Sequence, residues 1–221
     1  MTQPMTQQVE TILTLENDDC ITNIKLSGVE WVEKMLKGGL THTKPGSLFY
    51  LLYGARPSQQ SISIKMGRFG EFLAKSLIKS NENLELLCCG VQKINGKNKD
   101  VDLIWRNKTT GNIFYRELKA NIELDTEKLP ATVNKCKEIE EDMKKIHPSS
   151  SIDIGILNWS VYDREILTAG LSNIKAFENA GIKIDHMIDF LKIIDISWQE
   201  KDFYSYFREL GDKIESFEES D

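Results

Sequence analysis

Residues 99–119 read KDVDLIWRNKTTGNIFYRELK, two apolar runs on either side of a polar, glycine-containing connection. Alternating and β-branched residues in each run predict strands, and Asn107 to Asn112 supplies turn chemistry between them. An antiparallel hairpin closed by a four-residue loop, Lys108 to Gly111, sets a register. Asn107 then pairs with Asn112, Trp105 with Phe114, Leu103 with Arg116 and Asp102 with Glu117. Continued further, Val101 falls opposite Leu118 and Asp100 opposite Lys119. Because strand side chains alternate with period two, Glu117 and Lys119 share one face, whereas Arg116 and Leu118 take the other. Trp105 and Phe114 read as a cross-strand core pair.

Opposed Cβ atoms in such a ladder lie about 5 Å apart, and like charges there are destabilising. Asp102 facing Glu117 therefore calls for a neutralising group. A divalent cation is one; Mg²⁺ takes one or two carboxylates and keeps waters or phosphate oxygens as its other ligands. Such an ion acidifies a bound water and polarises a phosphoryl oxygen. Lys119, on the same face, is placed to orient that water and to stabilise developing negative charge. The competing reading is plainer: Asp102 is solvated, and Glu117 pairs with Lys119 or Arg116 on the surface.

Outward from the hairpin, LELLCCGVQKI predicts a further strand, and SIDIGILNW a fourth that is buried. Between them, Leu129, Thr132, Cys136, Ile139, Met143 and Ile146 recur at steps of three and four, which predicts a helix stopped by Pro148. Asp125 or Thr126 can cap it, and Pro130 is tolerated in its first turn. Arg68 to Ser80 predicts another helix, with Phe69, Phe72, Leu73 and Leu77 on one side. At the N-terminal end a helix is expected over about residues 7–15. The capping box SGVE is expected to open a second at Ser27. GSLFYLLYGARP reads as a short apolar segment and QQSISIKMGRFG as a basic polar loop. A helix over Leu171 to Ala180, a short strand IKID and the segment HMIDFLKII follow, before a last helix opened by SWQE. The expected fold class is α/β, a single domain with one central mixed sheet flanked by helices.

The 221 residues, 40% of them hydrophobic, suffice for a real core. No apolar run has the length of a membrane span, and the start lacks the basic-then-apolar pattern of a signal peptide. The four cysteines show no C-x-x-C spacing, which speaks against structural zinc and a disulfide framework and for a reducing cytoplasm. Net charge is −6, but from Asp185 to Asp221 there are 11 acidic residues against four basic ones, so that segment carries about −7. Between Lys37 and Gly70 there is no acid at all, while Lys37, Lys44, Arg56, Lys65 and Arg68 are present. A locally positive surface for a polyanion is one reading of this, an ordinary mixed surface the other.

VDLI followed by RELK resembles the core of the PD-(D/E)XK nucleases, the scaffold of many type II restriction endonucleases. The likeness covers roughly residues 67–159 and is best in GRFGE, KDVDLIW and YRELKANIELDTEKLPAT. Val101 stands where the family often has proline. The resemblance implies a helix–strand–strand–strand–helix–strand core (α-β-β-β-α-β). It divides the domain into residues 1–66 (N-terminal helices and DNA-contact loops), 67–159 (catalytic core) and 160–221 (C-terminal helices). It implies that Asp102, Glu117 and the Leu118 carbonyl bind Mg²⁺, that Lys119 is the catalytic lysine, and that Glu71 adds a carboxylate from the first core helix. A plain helix-start glutamate is the alternative for Glu71. It further implies double-stranded DNA as partner, a homodimer, 5′-phosphate products and a prokaryotic cytoplasm.

Asn121, Thr126 and Lys128, near a helix start, are candidates for phosphate contact. Arg56, Gln59, Gln60, Lys65 and Arg68 are candidates for DNA contact, since Arg can read guanine and Gln adenine in the major groove. A repair or structure-specific nuclease on the same core, and an inactive DNA-binding α/β protein, are the competing functions.

Overall fold

The computed structural model describes residues 5–38, 40–123 and 127–218. The chain divides into two compact units, Gly70–Ile196 and a discontinuous one made of Met1–Phe69 with Ser197–Asp221. The first of these is an α/β unit around a mixed sheet. Its strands are β1 (Leu84–Leu86), β4 (Leu103–Asn107), β5 (Ile113–Lys119), β6 (Ile152–Asn158) and β7 (Lys183–His186), in that spatial order. Between β1 and β4 in the chain come β2 (Gly90–Ile94) and β3 (Lys97–Val101), which form a separate two-stranded ribbon. Within the sheet β4 runs antiparallel to β1 and β5, whereas β5, β6 and β7 are parallel.

The β4–β5 hairpin has the expected register: Trp105 faces Phe114 and Leu103 faces Arg116. Local chemistry fixes it. The Asn107 side chain accepts from the Thr109 and Thr110 amides at 3.0 and 2.9 Å, and Gly111 adopts φ +72°. Trp105 and Phe114 stack with ring centroids 5.0 Å apart, as expected of a core pair.

Beyond Leu103 the structure departs from the expected ladder. LELLCCGVQKI is not one strand, because the chain turns out of the sheet at Leu87–Cys89 and Gly90 takes φ +86°. β2 then pairs with β3 through an Asn95–Gly96 turn, both residues at positive φ. Asp100 therefore pairs with Val91 and not with Lys119, and Val101 pairs with Gly90 and not with Leu118. The ribbon is tied to the helix α4 (Lys128–Ile146) by the Lys99–Glu138 ion pair at 2.7 Å and by Lys145 donating to Asn95 Oδ1 at 3.0 Å.

One face of the sheet is covered by α4 and α5 (Leu171–Asn179). Tyr115, Ile104, Ile154 and Ile156 join Cys136, Ile139, Met143, Ile174 and Phe177 in one apolar cluster. The helix α4 follows the expected periodicity and holds Pro130 in its first turn; its expected caps, Asp125 and Thr126, lie outside the described residues. On the opposite face, Phe190 of α6 (Met187–Ile193) meets Trp105 edge-on at 5.7 Å. Arg116 is also on this side, wholly buried. It pairs with Asp185 at 2.6 Å and Asp153 at 2.9 Å, and donates to the Tyr115 and Asp153 carbonyls. Gly155, in register between Arg116 and Lys183, makes the room. A Cβ there would sit 2.9 Å from the Lys183 carbonyl oxygen and 3.1 Å from Arg116 Nε.

In the discontinuous unit, α1 (Met5–Gly38) is one helix where two were expected. Neither proline nor glycine interrupts residues 5–27, so the SGVE pattern lies inside the helix and caps nothing. Gly28 allows α7 (Glu200–Glu218) to pass closely, since a Cβ there would overlap the Tyr206 hydroxyl. Lys25 pairs with Asp202 at 2.7 Å. The apolar segment forms α2 (Leu48–Tyr53), capped by Ser47, and buries none of its residues. The stretch QQSISIKMGRFG is not a loop but the beginning of α3 (Gln59–Lys79), where the Ser58 hydroxyl accepts from the Ser61 amide at 3.1 Å. No described helix is long and apolar enough to cross a membrane.

Candidate active site

The site lies at the C-terminal end of β5, on the face covered by α4. Where the chain passes from β3 into β4, the Asp102 carboxylate replaces a main-chain acceptor, taking the Leu118 amide at 2.9 Å. Glu117, 4% exposed, is held by three side chains. Its Oε1 accepts from Lys119 Nζ at 2.9 Å and its Oε2 from the Tyr115 hydroxyl at 2.7 Å. Lys135 Nζ, from the second turn of α4, lies 2.5 Å from the same Oε2 and 3.6 Å from Asp102 Oδ1. Asp102 and Glu117 thus do converge, and a lysine stands between them.

Lys135 was not singled out from the sequence. A signal existed: it falls three residues after Thr132 and four before Ile139, on the apolar stripe of α4. A lysine on such a stripe points its charge at something buried.

The two carboxyl groups respond in opposite ways. Burial pushes Asp102 up to about 6, and the neighbouring Glu117 charge adds to this. Burial alone would raise Glu117 as well, but Lys119, Lys135 and the hydrogen bonds from Lys135 and Tyr115 outweigh it and hold Glu117 below its ordinary value. Lys135 is raised: burial opposes its charge, and attraction by Glu117 and Asp102 prevails. Burial and Glu117 also push the Cys136 thiol, next along α4, up to about 12.

A stability consequence follows from Asp102. The folded chain keeps its proton to about pH 6, the unfolded chain only to 3.8, so stability falls as pH rises through that window. Asp102→Asn is expected to stabilise the protein by about 1–3 kcal/mol above pH 7 and to change little at about pH 4. Urea denaturation at the two pH values measures this.

Asp102 and Glu117 are a pair; among the described residues no three or more His, Cys, Asp or Glu side chains gather into a metal cage. A main-chain oxygen can extend the donor set. Lys119 C=O accepts from the Trp159 amide on the β6 side, so the alternating Leu118 C=O faces the β4 edge, where its own N–H already meets Asp102. Two carboxylates and a carbonyl suit a hard divalent ion that keeps water ligands.

Glu71 is ion-paired with Lys75 at 2.9 Å, one turn along α3. The Asn121 side chain accepts from the Glu123 amide at 2.8 Å, and Lys128 is exposed in the first turn of α4. Thr126 lies outside the described residues. Arg56, Gln59, Gln60 and Arg68 are exposed and Lys65 half-buried, all in the discontinuous unit. Arg56 lies over the Tyr53 ring. A scan against known protein families finds no match, and a search of curated proteins finds none either.

Proposed function

We propose that this chain is a Mg²⁺-dependent endonuclease of the type II restriction class, hydrolysing phosphodiester bonds at a specific sequence in double-stranded DNA. The observation that carries the reading is the convergence of two carboxylates, Glu117 buried and Asp102 half-buried, on one ammonium group, with Lys119 one strand repeat beyond Glu117 on the same face. Two carboxylates set this close out of full solvent, each needing a cation beside it, are an arrangement often found at functional sites. The order α3, β1, β4, β5, α4, β6 is in keeping with a restriction-endonuclease-like core, the β2–β3 ribbon being an insertion in it.

Asp102, Glu117 and the Leu118 carbonyl would hold the ion. When bound, Mg²⁺ would polarise the phosphate and acidify a water. Lys119 positions the attacking water by hydrogen bonding and stabilises charge on the phosphoryl oxygens. Water attacks phosphorus in line, the bond to the 3′ oxygen breaks, and the products are a 5′-phosphate and a 3′-hydroxyl. Tyr115 and the α4 packing fix the Glu117 rotamer, so the donor atoms are preorganised.

Arg56, Gln59, Gln60, Lys65 and Arg68 are assigned to DNA contact, and Asn121, Thr126 and Lys128 to phosphates; Glu71 is a possible further carboxylate only if it leaves Lys75. Cutting both strands of a palindrome calls for two sites, hence a homodimer, in a prokaryotic cytoplasm. The test is digestion of a sequenced plasmid with and without Mg²⁺, followed by end mapping. Discrete fragments with 5′-phosphates are expected. A smear, or cutting only at branched structures, points to a structure-specific nuclease; no cutting with retained DNA binding points to an inactive binding protein.

A further inference from the structure

We infer that Lys135 is an internal counter-ion seated where the metal would enter, so that a divalent cation binds Asp102 and Glu117 only by displacing its ammonium group. The inference rests on the metal site proposed above. Three observations carry it. Lys135 Nζ bridges the two carboxylates, at 2.5 Å from Glu117 Oε2 and 3.6 Å from Asp102 Oδ1, whereas Lys119 touches Glu117 through the other oxygen, Oε1. Lys135 reaches the pair from α4, a different element from those that carry the carboxylates, so it can withdraw without disturbing the strands. Its side chain is 18% exposed, which leaves the ammonium a route towards solvent.

Charge balance gives the consequence. Asp102 and Glu117 with Lys119 and Lys135 sum to zero, so the free protein offers a divalent ion little net attraction. A DNA phosphate nearby gives the Lys135 ammonium a second anion to pair with. Its departure leaves the carboxylates a net negative seat. Metal and DNA then bind cooperatively, through exchange of one cation for another. Lys135 is a positioning residue in this scheme and takes no proton from the reacting atoms.

The test is Mn²⁺ titration of the full chain by calorimetry without DNA, for the wild type, Lys135→Gln and Lys135→Arg. Lys135→Gln is expected to bind Mn²⁺ about tenfold or more tightly than the wild type, because one positive charge a few ångströms away has gone. Lys135→Arg, which keeps the charge, is expected to stay near the wild type. Adding a duplex should tighten Mn²⁺ binding in the wild type and far less in Lys135→Gln. Equal or weaker Mn²⁺ binding by Lys135→Gln overturns the inference while leaving the metal site standing. Absence of binding by all three proteins, with or without duplex, overturns the metal site itself. If Lys135→Gln does not fold alone, millimolar Mn²⁺ should restore cooperative unfolding; failure to do so counts against the inference.

Discussion

Lys119→Ala is expected to lower the single-turnover rate of plasmid cleavage by about 10²–10⁴-fold, the range for a positioned proton-transfer or water-orienting group. DNA binding should persist, because the lysine contributes one charge and not the contact surface. The fold should persist too. The Lys119 side chain is 25% exposed, and its ion-pair partner, Glu117, keeps Lys135 and Tyr115 when it is gone. Loss of activity would therefore report chemistry and not collapse. Lys119→Arg separates charge from geometry: a guanidinium keeps the charge but not the compact ammonium, so only partial recovery is expected. Cleavage by Lys119→Ala at the wild-type rate would remove this residue from the mechanism.

Arg116→Met is expected to cost about 3–5 kcal/mol of stability, the usual loss when one partner of a buried ion pair is taken away. Arg116 spans three strands: it belongs to β5, pairs with Asp153 on β6 and with Asp185 on β7, and donates to two main-chain carbonyls. Its guanidinium also lies 5.8 Å from the Trp105 ring centroid. Without it the largely buried Asp185 carboxyl loses the ion pair that Arg116 provides. The double variant Arg116→Met with Asp185→Leu removes the stranded charge and should recover part of the loss. Urea denaturation measures both, and a loss under about 1 kcal/mol for the single variant would show that the network is dispensable. Arg116 sits between Leu118 and Tyr115 in spelling distance of the site, yet its role is structural because strand alternation turns it to the other face.

The hairpin was legible because its determinants are local. Asn107 and Gly111 specify the turn, and the turn fixes the register of Trp105, Leu103 and their partners. The path of the chain before Leu103 was not. LELLCCGVQKI is rich in β-formers, so it reads as one strand; Gly90, at φ +86°, marks where the chain leaves the sheet, but a lone glycine within a strand pattern does not by itself tell a bulge from a break. The long α1 was missed for the opposite reason: a capping pattern at Ser27 matched by chance, while the absence of glycine and proline from residues 5–27 carried the weight. In QQSISIKMGRFG the polar composition suggested a loop, but Ser58 supplies a helix start. At the site, Asp102, Glu117 and Lys119 follow from period two and one turn. Lys135 depends on how α4 docks against β5, a tertiary fact, and only its odd place on an apolar stripe announced it.

The β2–β3 ribbon is joined to α4 near its tip and in its middle, and its root is Asp102. Mechanically this is a braced joint: one strut carries the carboxylate and the other carries the lysine that meets it. The spacing of Asp102 and Lys135 is thus held by two independent members. A chain trimmed at the Asn95–Gly96 tip would lose the Lys145 strap and keep the Lys99–Glu138 one, slackening the brace without cutting it.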